Sequence, residues 1–261
     1  MTEAPFTLAL HHTPGRRALA PMAVGVPGVR RILLEARRVG YRFAGLDEVG
    51  PDGAPARTVT LTVDDGYASN LLHLAPLLRE LGIPWAVFVS VRTLGATNRW
   101  DLGWVGQRER HLSAEEVRAL AAEGVTVGSH GMRHESMTRL DDRALDDSLG
   151  GSRRRLEDLT GRPVDAIAYP WGRVDERVAR AAARAGYRLG FAVESPRPLA
   201  PELRRLALPR VALYAPDQIP GLFRATGPWA PRPLHGLRSG LTLLGGTLVG
   251  LALSARDLRR A

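Results

Sequence analysis

Two hydrophobic rhythms alternate along the chain. Short apolar or β-branched runs at 6–10, 58–63, 85–91, 125–129, 165–169 and 189–193 have the length and composition of strands. The run Trp85-Ala86-Val87-Phe88-Val89-Ser90-Val91 is almost continuously apolar, as expected of a strand covered on both faces. Between these runs, apolar residues recur at helical spacing. Val29, Ile32, Leu33, Ala36 and Val39 predict a helix that Gly40 ends. A second helix is predicted over about 69–81, closed by Gly82-Ile83-Pro84. A third starts at Ser113 as N-cap, with Glu115 and Glu116 in its first turn, and ends at Gly124. Two more are predicted over 141–160 and 175–185. Alternation of strand and helix predicts a parallel sheet with crossover helices, and 261 residues suit a single α/β domain.

The polar residues of greatest chemical interest fall where predicted strands end, the place where α/β barrels build their sites. Thr58–Val63 runs directly into Asp64-Asp65-Gly66. Adjacent side chains on extended backbone point to opposite faces, so the two carboxylates invite different roles, for example one as metal ligand and one as base. The first strand delivers His11 and His12, and the 125–129 strand runs into His130, with His134 four residues on. A helical turn after that strand would put the two histidines on one face. Two imidazoles and one carboxylate suit Zn²⁺ or a similar divalent ion and leave positions open for water and substrate.

Composition narrows the chemistry. Cysteine is absent, so any metal must be held by His, Asp or Glu, and disulfides and thiolate nucleophiles are excluded. The net charge of +9 is carried entirely by arginine, with no lysine in the chain. No aromatic residues interleave a basic stripe, which argues against nucleic-acid binding. Residues 1–20 lack an apolar core of the secretory type, so the folded body is expected to face the cytoplasm.

Three short stretches, in order, resemble the motifs of the polysaccharide deacetylases, the NodB-like carbohydrate esterases. They are Thr62-Val63-Asp64-Asp65-Gly66, Ser129-His130-Gly131-Met132-Arg133-His134 and Ala168-Tyr169-Pro170-Trp171-Gly172. The resemblance covers roughly 5–215 and implies a distorted (β/α) barrel with fewer than eight strands, a divalent metal, most often zinc, and an acetylated glycan as substrate. Carried over by motif, Asp65, His130 and His134 would bind the metal. Asp64 would be the general base toward the attacking water, and the backbone N–H of Trp171 would help form an oxyanion hole. Tyr169 and Pro170 belong to the same third motif.

The chain also departs from that pattern. Many members carry an arginine two residues before the third-motif proline, acting on the catalytic aspartate; here that position is Ala168, and Arg173 just beyond the motif is a candidate to compensate. Leu208-Pro209-Arg210-Val211 resembles a variant late strand of one branch, which makes Arg210 a further candidate. The family's late Leu-x-His motif is not apparent. The general acid is therefore left open among His12, the metal-bound water and no conventional group. The implied activity is metal-dependent N-deacetylation of a polysaccharide or lipid-linked oligosaccharide, with O-acetyl glycan esterase and a non-catalytic carbohydrate- or membrane-associated binding protein as alternatives. We read 1–230 as the deacetylase-like domain and 231–261 as an apolar and basic tail. That tail holds 17 uncharged residues between Arg238 and Arg256, a candidate apolar helix for peripheral membrane attachment through 236–256 or for packing on a partner.

Overall fold

The structure, a computed structural model, describes residues 4–15, 22–50, 54–98, 109–193 and 199–218. The tail 231–261 and its expected helix lie outside the described residues. Among the described residues there are eight strands: β1 (Phe6–Leu10), β2 (Arg42–Ala44), β3 (Thr58–Val63), β4 (Trp85–Val89), β5 (Thr126–Ser129), β6 (Ala166–Ala168), β7 (Leu189–Ala192) and β8 (Leu208–Ala212). Every pairing is parallel. The order β1-β8-β7-β6-β5-β4-β3 closes on itself because β1 also pairs with β3, Leu10 opposite Val63. The ring therefore has seven strands, fewer than eight as expected. The short β2 stands outside it, pairing with Thr58–Thr60 of β3 ahead of the residues that meet β4. Three residues are too few to show a period of two, which is why the hydrophobic pattern did not predict β2.

Helices α1 (Val26–Arg38), α2 (Ala75–Leu81), α3 (Ala114–Ala122), α4 (Asp142–Asp146), α5 (Ser152–Thr160) and α6 (Glu176–Arg184) cross between strands. Their starts follow the local chemistry. Ser113 and Glu116 form a reciprocal capping box on α3, and the Asp175 side chain accepts from Val178 N–H at 2.8 Å on α6. The predicted 69–81 and 141–160 helices each contain a π-helical turn, at Asn70–Leu74 and Asp147–Gly151. Such turns interrupt helices most often near functional sites, and both lie on connections that follow strands carrying site residues.

Alternation along the strands sorts the core into two layers. One set, including Leu61, Val63, Val87, Val89, Ile167 and Tyr169, packs with Val29, Leu33, Leu120, Leu156 and Val178 of the helices and so faces outward. The opposite parity, with Ala86, Phe88, Ala166, Ala168, Leu189 and Phe191, forms a separate interior cluster. Phe88 and Phe191 meet there with ring centroids 5.7 Å apart. The alanines on this face are small and leave space beside the two rings.

Candidate metal centre and hydrolytic site

Asp64 continues the interior face of β3, its N–H bonded to Leu10 O at 2.8 Å. At Asp65 the backbone turns into the left-handed region, with φ of 66°, and Gly66 follows at 59°. A non-glycine residue held there costs about 1–3 kcal/mol, and such strain clusters at functional sites. The turn has a direct use. It separates the directions of two adjacent carboxylates that are each only 2% exposed.

Asp65 meets the two histidines. Its Oδ1 lies 3.3 Å from His130 Nε2 and 3.2 Å from His134 Nε2, and one donor atom from each residue falls within 4.8 Å of the others. His130 follows β5, and its Nδ1–H donates to Ala168 O at 2.7 Å, which turns Nε2 toward Asp65. His134 arrives through a non-helical loop that turns at Gly131, φ 79°, so the expected helical turn is replaced by a loop that brings the rings together all the same. Asp65 Oδ1 is buried without a hydrogen-bond partner. A buried anionic oxygen facing two imidazole nitrogens is stable only with a cation between them, either a proton or a metal ion. Burial lowers the His134 pKa to about 3, the Asp65 charge offsetting only part of that, so its ring is neutral with a lone pair to give. Burial also lowers that of His130, but the contact with Asp65 and the two carboxylate charges outweigh it and raise the net value. A divalent ion fits this donor set and would displace the His130 proton on entering.

Asp64 has a different partner. Arg210 of β8 projects into the barrel over Phe88 and Phe191, 5.8 and 5.9 Å from their centroids, and grips both oxygens of Asp64 at 2.7 Å. The same guanidinium donates to Thr62 Oγ1 at 3.1 Å. Burial pushes the Asp64 carboxyl up, but the Arg210 charge and hydrogen bonds, with His130 and His11 nearby, hold it below the usual carboxylate range. Arg210 thus occupies the role for which Arg173 was a candidate. Arg173 is exposed beyond the third motif.

Two other candidates lie away from the metal-ligand set. His12, the candidate acid, turns away to Glu109, with Nε2 and Oε1 2.6 Å apart. Its neighbour His11 faces the site instead, Nε2 3.8 Å from Asp64 Oδ2, with its carbonyl held by Asn70 Nδ2 at 2.8 Å. Sequence reasoning passed over His11 because the pair His11-His12 straddles the end of β1, where alternation no longer says which ring points inward. Tyr169 faces the helix layer, fully buried, its hydroxyl donating to Leu206 O at 2.8 Å, and it does not reach the site. Burial pushes its phenol pKa well above the usual value.

Pro170 begins a tight turn that holds Trp171 at φ 64° and ψ 7°. The turn's own hydrogen bonds use the amides of Gly172 and Arg173, leaving that of Trp171 outside them. The indole packs edge-on to His134, centroids 4.7 Å apart, so the turn borders the metal-ligand set. Gly172 is required there. Its φ is 66°, and a Cβ would lie 2.6 Å from that of Val193.

The structure is a closed parallel barrel with a candidate Asp-His-His metal set at its carboxyl-end face. The family model described as polysaccharide deacetylase matches residues 52–190, more than half of the chain, and the protein belongs to that family. YxkH of Bacillus subtilis (strain 168), whose name carries a polysaccharide deacetylase assignment, is 25% identical over 138 residues, 53% of this chain and 45% of that protein. The chain thus spans less than half the length of this relative. Among solved structures, IcaB from Ammonifex degensii superimposes with a TM-score of 0.66 at 22% identity, covering 83% of this chain and 94% of that one. The Streptococcus pyogenes deacetylase PplD, in complex with acetate, gives 0.64 at 19% identity, covering 84% and 96%. At these identities the likeness is one of fold.

Proposed function

We propose that the protein is a metal-dependent hydrolase that removes N-acetyl groups from an amino-sugar-containing glycan, with zinc as the ion that two imidazoles and a carboxylate suit best. The observation that carries this reading is the division of the Asp64–Asp65 pair: an unpartnered Asp65 oxygen between two imidazoles, beside a second carboxylate that Arg210 keeps ionised and apart. When bound, the ion supplies Lewis acidity to the acetyl carbonyl and lowers the pKa of water toward about 7. Asp64 takes the proton of the attacking water, whose oxygen forms the new bond to the acetyl carbon. The amide of Trp171 donates to the oxygen on which negative charge gathers. In this reading His11, whose Nε2 lies 3.8 Å from Asp64 Oδ2, protonates the amine as the C–N bond breaks, leaving acetate and a free amino sugar. The family and the acetate-bound PplD structure support this reading.

The test is acetate release by the zinc-loaded protein from N-acetylated oligosaccharides and, separately, from O-acetylated ones. We expect release from the first, lost in Asp64→Asn while zinc stays bound. Release from esters alone would move the assignment to an O-acetyl esterase. Release from neither would end the hydrolase reading.

A further inference from the structure

The strained Asp65-Gly66 step does not hold itself. Residues 109–112 lie against it as a clasp: Leu112 N–H donates to Gly66 O at 2.7 Å and Ala68 N–H to Arg110 O at 2.9 Å. Those two bonds are main chain to main chain, and any residue could supply them. The Asp65 carbonyl is served differently. It accepts from a side chain, His111 Nδ1, at 2.8 Å. A carbonyl oxygen only accepts, so Nδ1 must carry the hydrogen. His111 is 1% exposed, and its ring stacks on the equally buried Tyr67, centroids 4.8 Å apart and 21° between planes. The imidazole therefore has no freedom to rotate away from Asp65.

The orientation of the Asp65 carbonyl is set by ψ of Asp65, so holding it restrains the left-handed backbone from which the carboxylate side chain leaves. We propose that His111 is a positioning residue for the metal centre: its Nδ1–H locks the left-handed Asp65 peptide and keeps the Asp65 carboxylate in register with His130 and His134. This rests on the metal-site reading above. Groups that orient a metal ligand typically change metal affinity about 10–100-fold when removed, and that is the effect expected here.

The experiment measures zinc affinity on folded protein by competition with a chromogenic chelator, for wild type, His111→Phe and His111→Asn. Phenylalanine keeps a ring to stack on Tyr67 but has no donor. Asparagine places an amide N–H close to where Nδ1 stood. We expect His111→Phe to bind zinc about 10–100-fold more weakly and His111→Asn to recover most of the loss. Unchanged zinc affinity in His111→Phe overturns the proposal, and so does equal weakening in both variants with circular dichroism unchanged. If neither variant folds, ¹⁵N NMR of the wild-type ring decides: a slowly exchanging Nδ1–H supports the proposal, and an Nε2–H tautomer removes it. A wild type that takes up no zinc would take away the metal centre itself, an outcome distinct from a wild type whose affinity ignores His111.

Discussion

Asp64 and Asp65 are the same residue type, one peptide apart and equally buried, yet the fold gives them opposite surroundings. Asp64 directly follows β3, inside the barrel, with a full cation on both oxygens. Asp65 lies on left-handed backbone with no arginine of the described residues on its oxygens, its Oδ1 facing two imidazoles. Burial penalises both charges. What differs is how each is compensated: permanently within the chain for Asp64, and by something bound for Asp65. The first arrangement makes a carboxylate that stays ionised, the state a proton acceptor needs. The second makes a ligand.

The sharpest way to break that contrast is to remove a ligand from the Asp65 side. His130→Ala should reduce zinc per chain, by elemental analysis, from near one to near none, and acetate release should vanish with it. Undiminished zinc would mean that the Asp-His-His set does not hold the ion. Asp64→Asn should act on the other side alone: zinc retained, turnover down about 10²–10⁴-fold, the range for loss of a general base. If Asp64→Asn also empties the site, the two carboxylates share one role and the contrast fails.

Arg210→Met tests how Asp64 is kept ionised. Asp64 must be charged to accept a proton, so activity rises with pH through its pKa. Without the guanidinium, burial is left to push that pKa up, and the acidic limb of kcat/KM should move about 1–3 pH units higher. The folded protein should also lose about 3–5 kcal/mol, the penalty for leaving one member of a buried pair uncompensated. The sign for stability runs the same way. A depressed carboxyl stabilises the wild type above the unfolded value of about 3.9 and ceases to do so as pH falls through its folded value. An acidic limb that stays in place in Arg210→Met would show that Asp64 owes its ionisation to something else.

Much of this was legible in the chain. The seven ring strands leave a period of two or a short continuous apolar run, except β8, where Pro209 breaks the pattern and only the motif-like Leu208-Pro209-Arg210-Val211 marks it. The metal set could be read because three residues in two motifs follow strand ends. Arg210 was legible as a candidate but not as the partner of Asp64, since they are 146 positions apart and only closure of the barrel brings β8 beside β1 and within one strand of β3. His11 and His12 show a different limit. Adjacent residues at a strand end exchange faces with a single backbone rotation, and composition carries no trace of which one turns in.

Tyr169 bears on the outer boundary of the site and carries the smallest expected effect. It sits inside the third motif, next to Pro170 and Trp171, as a candidate substrate or support residue. The structure instead puts it one position out of phase with the interior face, and its hydroxyl ends on Leu206 O, behind the strand. Tyr169→Phe removes that bond and leaves the carbonyl buried, a loss of about 1 kcal/mol. The midpoint of urea denaturation should fall accordingly, while kcat, KM and zinc affinity remain those of wild type. A drop in kcat with unchanged stability would put the phenol back among the groups that touch substrate, and the dividing line between interior chemistry and exterior packing would have to be redrawn through β6.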